Sequence, residues 1–376
     1  MRAKLRLLAC LLCLGLSGPA PADPAPPIHV RFVNPGFAAE GFWRGVSDTM
    51  RAAADQLGIR LEISHADRQW PRMRANARAA IDAAERPDYL ILVNEHRQAA
   101  DLVAAADARG IPTLLLLSTL TPAQEARVGR PGRELPHWLG SLTPDNARAG
   151  REMATALFAA ARELAPERDR LTLITLAGDA ATPASTRRLA GLDQALATAP
   201  DIEEVRRLTV DWSREKAYRR IDAWLRTGRR FDAVWAANDP IALGAMAAAE
   251  AHGLVPGRDF AVVGMNWSAA ALTHLRDGTL VMTHGGHFLA GAWAMVLLHD
   301  LHHGIPAIAG SRHLRFPMAG LTAPVPPRLR ALLADRDWSR LDFRAFSRHH
   351  HPERTGYDFS LPALLAALDE ESGHAD

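Results

Sequence analysis

The sequence predicts an α/β protein with two similar doubly wound lobes, each a parallel β-sheet covered by helices on both faces. Three observations lead to this fold class. Short apolar runs alternate with Ala-rich amphipathic runs from residue 28 to about 305, which is typical of parallel strands joined by crossover helices. Several apolar runs have no polar side, as expected for strands buried on both faces. The alternation breaks once, around 119–145, and this break divides the pattern into two halves.

The elements of the first half follow from this alternation. We expect strands where β-branched residues and leucine cluster, at 28–33, 60–64, 88–93 and 112–117. Amphipathic helices are expected between and after these strands, near 40–57, 72–84 and 97–109.

The second half repeats the pattern after a strand expected at 137–141, which passes into the second lobe. Asp145-Asn146 and Asp239, which precedes Pro240, are expected to cap helices. The remaining strands are expected at 171–176, 204–210, 232–236 and 259–264, and the helices near 146–164, 185–198, 214–227, 240–252 and 288–303.

These elements predict how the chain is divided between the lobes. The first lobe is expected to contain residues 28–139 plus about 285–306, and the second lobe residues 140–284. In open α/β sheets a ligand binds outside the carboxyl ends of the strands, so two facing sheets would share one cleft. The hinge between the lobes is expected to have several segments, near 139–145, 265–268 and 283–286.

The last part of the chain, residues 311–376, has a different character. It is rich in Arg, His, Pro and isolated aromatic residues, with little periodicity before a final helix expected from Leu361 to Glu371. Ser360 is positioned to cap that helix. The aromatic residues are too frequent for a disordered tail, so we expect this C-terminal extension to pack on both lobes.

The N-terminus has the pattern of a secretory signal peptide, residues 1–22. A basic segment from Arg2 to Arg6 precedes the apolar run Leu7 to Leu16, and Ala20-Pro21-Ala22 provides the small residues at a cleavage site. The run is too short to cross a bilayer as a helix, which needs about 20 residues. A lipoprotein signal ending at Cys10 is the alternative. The expected location is the periplasm.

Cleavage after Ala22 would change the composition of the mature protein. Both cysteines would be removed, which excludes disulfides and Cys-ligated metals. The full chain has 44 basic and 42 acidic residues, and loss of Arg2, Lys4 and Arg6 leaves 41 against 42. This balance argues against a nucleic-acid partner.

Four motifs in the second half each follow an expected strand: Arg188–Leu192, Asp211–Ser213, Ala237–Ala245 and Val262–Asn266. Their order and spacing are similar to type I periplasmic binding proteins, the sugar-binding components of ABC transporters, and to the effector domain of lactose-repressor-type regulators. The resemblance covers about 28–310. Repressors carry a helix-turn-helix where this chain has a signal peptide, so the exported branch is favoured.

The resemblance implies roles for residues in the second lobe. Arg188 matches the arginine that donates hydrogen bonds to ligand oxygens, and a guanidinium can bridge two adjacent hydroxyls. Trp212 matches the aromatic residue that stacks on the sugar ring. Asn238 can donate to and accept from a hydroxyl, and Asn266 stands where relatives often have aspartate. Each also has a structural alternative, such as a core position for Trp212 or a helix cap for Asn238.

The first lobe matches the family less well. Relatives place paired aromatic residues after the first strand, so Phe42 and Trp43 are candidates to enclose a sugar. Polar residues that follow the expected strands are further ligand candidates. These are Asn34, Asp67, Arg68, Asn94 and Glu95.

Two departures from the family pattern argue against a simple ribose-like ligand. Ser118 follows the fourth strand, where pentose binders carry an Asp-Arg pair. Thr283–Phe288 stands where relatives supply glutamine or aspartate. Either His284 or His287 is a candidate to face the cleft, and the alternative is that both histidines lie in a solvated turn. Gly285-Gly286 indicates a hinge or a close backbone approach.

Motifs for catalysis are absent from the sequence. Gly-rich phosphate loops and a Gly-x-Ser-x-Gly elbow do not occur. The tracts His302-His303 and His349–His351 are expected to bind metals only adventitiously, so no cofactor, metal or catalytic residue is expected.

The sequence therefore predicts a periplasmic solute-binding protein that captures a small sugar or polyol between two closing lobes and delivers it to an ABC permease. A periplasmic sensor that signals to a membrane kinase or chemoreceptor is the alternative. An enzyme of unfamiliar type is a further alternative.

Overall fold

The computed structural model describes residues 26–308 and 312–370, and the expected signal peptide lies outside these ranges. Two six-stranded sheets are present, and their strands are parallel apart from one antiparallel edge pair. Helices alternate with the strands through both halves of the chain. The expected fold class is confirmed, and the ends of the predicted elements differ from the observed ones by a few residues.

The first lobe is built on the sheet that contains the N-terminal strand. Its strands lie in the order β5-β4-β3-β1-β2, and all are parallel. The strands are β1 Ile28–Asn34, β2 Ile59–His65, β3 Tyr89–Leu92, β4 Thr113–Leu116 and β5 Trp138–Pro144, and the helices are α1 Gly41–Gln56, α2 Trp70–Asp82, α3 Ala100–Ala108 and α4 Pro122–Val128.

The second lobe repeats this arrangement. Its strands lie in the order β10-β9-β8-β6-β7 and are parallel. The strands are β6 Leu171–Ala177, β7 Ile202–Thr209, β8 Ala233–Ala236, β9 Ala261–Met265 and β10 Met282–Gly285, and the helices are α5 Asn146–Leu164, α6 Pro183–Leu196, α7 Arg214–Leu225, α8 Asp239–Ala251 and α9 Ala269–Arg276.

The chain then returns to the first lobe and continues into the C-terminal extension. Helix α10 packs against α1, and the extension adds one edge strand to each sheet: β11 pairs with β5 and β12 pairs with β10. The last helix begins next to Ser360, whose hydroxyl accepts from the Ala363 N–H at 3.4 Å. The elements are α10 Ala290–His302, β11 His313–Phe316, β12 Ala319–Leu321, α11 Pro327–Asp335 and α12 Leu361–Glu370.

In the described part of the chain, consecutive strands belong to different sheets at three places. The first is after Pro144, because β5 belongs to the first sheet; the boundary expected at 139/140 therefore falls inside a strand. The second is between β10 and α10, after Gly285. The third joins β11 to β12 through 317–318, inside the extension. The hinge segment expected at 265–268 is not a crossing, because β9 and α9 on either side of it both belong to the second lobe.

Aromatic packing holds the extension on α10. Trp293 stacks on Phe359 with ring centroids 4.6 Å apart, and Phe346 lies 4.7 Å from the same indole. All residues from Ala290 to Asp300 are buried. A helix that is apolar all round must be covered on every side, and here α1 covers one face and the extension another.

A buried carboxylate also ties the extension to α10. Asp300 is fully buried and accepts from the Arg348 N–H at 2.6 Å and from the Tyr357 hydroxyl at 2.9 Å. Burial opposes ionisation, but hydrogen bonds from His299, Ser347, Tyr357 and the Arg348 N–H lower the pKa of Asp300 to about 2.

The histidine tracts meet next to this carboxylate. The ring centroids of His299 and His303 are 4.3 Å apart, and those of His303 and His349 are 4.2 Å apart. Within the described residues, no group of three or more His, Cys, Asp or Glu side chains is placed to hold a metal ion. In the same part of the chain, no helix is long and apolar enough to cross a membrane.

Candidate functional site

The carboxyl ends of the strands of both sheets face one cleft of about 340 Å³. This is the position where open α/β sheets bind ligands. The cleft has walls from the first lobe, the second lobe, the crossing between β10 and α10, and the extension. Nine of the residues predicted from the sequence line it: Phe42, Trp43, Arg68, Glu95, Ser118, Arg188, Trp212, Asn238 and Asn266.

The first-lobe wall combines aromatic and charged side chains. Phe42 and Trp43 begin α1 and contact each other edge to face, with centroids 5.2 Å apart. Arg68 follows β2, and its Nε donates to Glu40 Oε2 at 3.0 Å. This pair neutralises both charges and places the Arg68 guanidinium at the cleft.

Glu95 is the other carboxyl on this wall. Burial raises its pKa to about 7; Arg68 acts in the opposite direction, and Asp179 and Glu40 add to the rise. Among the described residues, no side chain or backbone group donates a hydrogen bond to this carboxyl. Near neutral pH, Glu95 can therefore either donate to or accept from a bound molecule.

Arg188 is the centre of the second-lobe wall. Only 3% of it is exposed, and its donors have fixed partners: Nε donates to Asn146 Oδ1 at 2.8 Å, and Nη1 donates to the Ala237 carbonyl at 2.7 Å. The guanidinium lies over the Trp212 ring, 5.4 Å from its centroid. Burial lowers the pKa of Arg188 to about 9, although Asp239 opposes this. The cation is held in one orientation beside an aromatic face.

Asn238 caps α8 and also lines the cleft. Its Oδ1 accepts from the Ile241 N–H at 2.9 Å, which leaves the amide NH₂ as the group that can bind a ligand. The prediction that Asp239 is the cap is wrong. Asp239 is fully buried, and it accepts from the Ser268 N–H at 2.9 Å and the Thr283 hydroxyl at 2.7 Å. It fixes the loop that carries Asn266 to the cleft.

His287, at the crossing into α10, touches both lobes. Its ring stacks on Phe42 with centroids 4.7 Å apart, and Arg188 Nη2 lies 3.3 Å from its Nε2. Burial, with smaller contributions from Arg188 and His284, lowers its pKa well below 6.5. The imidazole is therefore neutral, and its Nε2 accepts from Arg188. Of the two histidines considered from the sequence, this one faces the cleft.

Four of the predicted ligand residues do not line the cleft. His284 is 1% exposed and is paired with Glu152, Nε2 to Oε2 at 2.8 Å. Asp67 forms an ion pair with Arg72. The other two are the buried amides Asn34 and Asn94.

The two amides position neighbouring cleft residues instead. Asn34 Nδ2 donates to Ser47 Oγ at 2.9 Å and to the Trp43 carbonyl at 3.2 Å, which fixes the first turn of α1. Asn94 Nδ2 donates to Gln124 Oε1 at 2.9 Å, and its Oδ1 accepts from the Ala99 N–H at 3.0 Å. Their hydrogen-bonding groups are consumed by the turns that present Trp43 and Glu95, so they do not reach the cleft.

The structure adds cleft residues that the sequence did not reveal. Trp267 follows Asn266 directly, and both have positive φ values, +55° and +138°. Such backbone costs about 1–3 kcal/mol and is enriched at functional sites. The further lining residues include Glu40, Thr182, Ser268 and Phe288, and the extension contributes Leu333, Arg336 and Trp338.

The lobes touch directly at the rim of the cleft. His96, after β3, contacts Asp179, after β6, with Nε2 2.9 Å from Oδ2. The Trp70 ring packs on His96 with centroids 4.0 Å apart. The structure therefore has the two lobes in contact around the cleft.

Comparisons with known proteins agree with this architecture. A family model described as a periplasmic binding protein domain matches residues 30–304. The crystal structure of a periplasmic sugar-binding protein from Pseudomonas fluorescens is similar with a TM-score of 0.80 and 34% identity, over 90% of this chain and 99% of that chain. The binding component of the arabinose ABC transporter from Shewanella sp. ANA-3 shares the fold, with a TM-score of 0.66, 20% identity and coverage of 82% and 94%.

A curated relative is also similar. The xylitol-binding protein of Mycolicibacterium smegmatis is 29% identical over 188 residues, or 48% of this chain; the match spans 46% of that protein, about half its length. The resemblance indicated by the four motifs is confirmed by the family match across both lobes and the cleft. The chain belongs to the periplasmic binding protein family.

Proposed function

We propose that this protein captures a small sugar or polyol in the cleft, in the periplasm, and delivers it to an ABC permease. The observation that carries the proposal is the convergence of Arg188, Asn238 and three aromatic side chains from two lobes on one cleft. The similar proteins named above bind xylitol, a sugar or arabinofuranose. They are binding proteins, and we propose that this chain likewise catalyses no reaction.

The geometry suits a molecule with apolar faces and a hydroxylated edge. Trp43, Phe42 and Trp212 provide rings for the C–H faces of a sugar. Arg188 Nη2, the Asn238 amide and the Glu95 carboxyl provide donors and acceptors for hydroxyls. Arg188 and Asn238 are already fixed by hydrogen bonds within the protein. Ligand binding therefore does not have the entropic cost of ordering these two side chains.

Closure follows from the distribution of these groups. Arg188 and Trp212 lie on one lobe, while Trp43 and Glu95 lie on the other, so a ligand can contact all of them only when the lobes are together. Ligand contacts that exist only in the closed state shift the equilibrium towards closure. Gly286 has φ +88° in the second crossing, a conformation that suits glycine at a hinge.

A ligand screen with a closure measurement tests the proposal. Isothermal titration calorimetry with sugars and polyols should give at least one saturable ligand, and small-angle scattering should show compaction when it binds. Trp212→Ala should weaken binding by about tenfold or more, because a ring that stacks on an aromatic side chain gains about 1–3 kcal/mol from that contact. Tyr218→Ala, at an exposed position on α7, is the control. Absence of any ligand from this class, or binding without compaction, would contradict the proposal.

The second candidate is a sensor that signals to a membrane kinase or chemoreceptor. The extension favours it, because a segment that adds a strand to both sheets gives a membrane partner a surface that depends on the lobe arrangement. Reconstitution separates the two functions: ligand uptake with the cognate permease supports delivery, whereas ligand-dependent kinase control without uptake supports sensing.

A further inference from the structure

The C-terminal extension forms part of the cleft wall, although it lies outside residues 30–304 that match the family model. Leu333 is at the end of α11, which packs on α9 of the second lobe. Trp338 is 5% exposed and packs on Phe288, with ring centroids 5.3 Å apart, in a 3₁₀ turn that contacts α1 of the first lobe. The extension therefore spans both lobes at the place where it borders the cleft.

Arg336 is the charged residue that the extension places there. It ends α11 with φ +55°, and its N–H donates to the Leu332 carbonyl at 2.8 Å. A position with left-handed backbone favours glycine, yet this chain has arginine. Within the described residues, the Arg336 guanidinium has neither a hydrogen-bond partner nor an ion-pair partner, whereas nearby Arg340 pairs with Asp335 at 3.3 Å.

The charges that line the cleft do not balance. Three arginines line it, and the carboxylates are Glu40 and Glu95. Glu40 is committed to Arg68. Arg188 donates to neutral groups, and the pKa of Glu95 is raised to about 7 by burial, so this carboxyl is only partly ionised near neutral pH. Buried Asp239 acts electrostatically on Arg188, whereas Arg336 has no carboxylate partner in the described part of the chain, so its positive charge is the one that an anionic group on the ligand would offset.

We infer that the extension completes the ligand site and that Arg336 selects a sugar acid, with the carboxylate of an aldonate or uronate at Arg336 and its hydroxyls at Arg188 and Asn238. The inference rests on the proposed function and deepens it by naming the ligand class. A guanidinium presents paired donors that match the two oxygens of a carboxylate. The apolar surfaces of Leu333 and Trp338 beside it reduce access of water and strengthen this interaction.

Matched pairs of neutral and acidic ligands test the inference. Calorimetric titration would compare D-galactose with D-galacturonate, D-glucose with D-gluconate, and D-xylose with D-xylonate, using the full chain. At least one acid should bind about tenfold or more tightly than its neutral partner, because a hydrogen-bonded charge pair contributes about 1.5–3 kcal/mol. Arg336→Gln should remove this preference, and Arg336→Lys should restore part of it. Arg330→Gln, on the exposed face of α11 and outside the cleft, should leave it unchanged.

The outcomes separate the inference from the proposed function. Neutral sugars that bind as tightly as their acids, or an acid preference that survives in Arg336→Gln, would overturn the inference and leave sugar binding intact. Failure of both neutral and acidic sugars to bind would overturn both. Equal loss of acid affinity in Arg330→Gln would also count against the inference, because the effect would then come from general surface charge.

Discussion

The second-lobe wall and the extension wall each place an arginine at the cleft, but the two arginines are held differently. Arg188 is 3% exposed, and an amide, a backbone carbonyl and an imidazole accept its hydrogen bonds. Arg336 ends a helix with left-handed backbone and has no hydrogen-bond or ion-pair partner in the described part of the chain. Arg188 is therefore a preorganised donor, whereas Arg336 has its donors free for a ligand.

Because of this difference, we expect Arg188 to contribute to the affinity for every ligand and Arg336 to determine which ligand is preferred. The second-lobe wall belongs to the segment that matches the family, 30–304, and the extension lies outside it. We therefore expect changes in the second lobe to weaken every ligand and changes in the extension to alter only the choice of ligand or the docking of the extension. Changes at Arg188 and Asp300 test this division, and a change at Glu95 tests the first-lobe wall; the expected effects decrease in that order.

The largest effect is expected from Arg188→Met. It removes the ligand donor and leaves the Asn146 and Ala237 acceptors without their partner, so affinity should fall about 100-fold or more for neutral and acidic ligands alike. Calorimetric titration measures this loss, and circular dichroism checks folding. Arg187→Met is the control, because Arg187 is exposed on the same helix. A loss confined to acidic ligands would break the proposed division.

A moderate effect on stability is expected from Asp300→Asn. The pKa of Asp300 is lowered from 3.8 to about 2, so the ionised carboxylate stabilises the folded state at pH values above its unfolded pKa, and this contribution is lost as the pH falls towards 2. At neutral pH the substitution should cost about 1–3 kcal/mol, because buried donors lose a charged acceptor.

Urea unfolding at several pH values measures this contribution. The difference between wild type and Asp300→Asn should shrink as the pH falls towards 2. Asp335→Asn, which makes the same charge change at an exposed position on α11, should have little effect. A difference that stays constant with pH would show that ionised Asp300 does not hold the extension on α10.

The smallest effect is expected from Glu95→Gln. Burial raises the pKa of Glu95 to about 7, so the affinity of a sugar acid should fall as the pH rises through this value and ionised Glu95 repels the ligand carboxylate. The change between about pH 6 and about pH 8 should be less than tenfold, and Glu95→Gln should abolish it. Titrations at each pH provide the measurement, with Glu215→Gln on the exposed face of α7 as the control. Wild-type affinity that does not vary with pH would refute this role for Glu95.

The sequence was most informative where local patterns decide the structure. Apolar runs such as 88–93 in the first lobe and 171–176 in the second, with the Ala-rich helices that follow them, predicted both sheets, because strand and helix periods differ. The second-lobe residues Arg188, Trp212 and Asn238 reached the cleft as the motifs implied, because Trp212 and Asn238 follow strand ends and Arg188 lies in the second turn of the helix after β6.

The remaining features depend on tertiary contacts. The side chains of Asn34 and Asn94 follow strands just as Glu95 does, but turn hydrogen bonds consume their amides, which spacing does not reveal. Arg336 and Trp338 lie in a segment without periodicity, and the third crossing depends on strands of four and three residues. One signal was present: α10 reads as apolar on every side, and such a helix requires cover from another segment.

The most direct test of the extension's part in the cleft is a crystal structure of the protein with a bound ligand from the matched series. We predict that the ligand carboxylate lies within hydrogen-bond distance of the Arg336 guanidinium, that its hydroxyls contact Arg188 and Asn238, and that Trp338 borders the same molecule. A ligand held by the two lobes alone, with Arg336 directed into solvent, would contradict the role assigned to the extension.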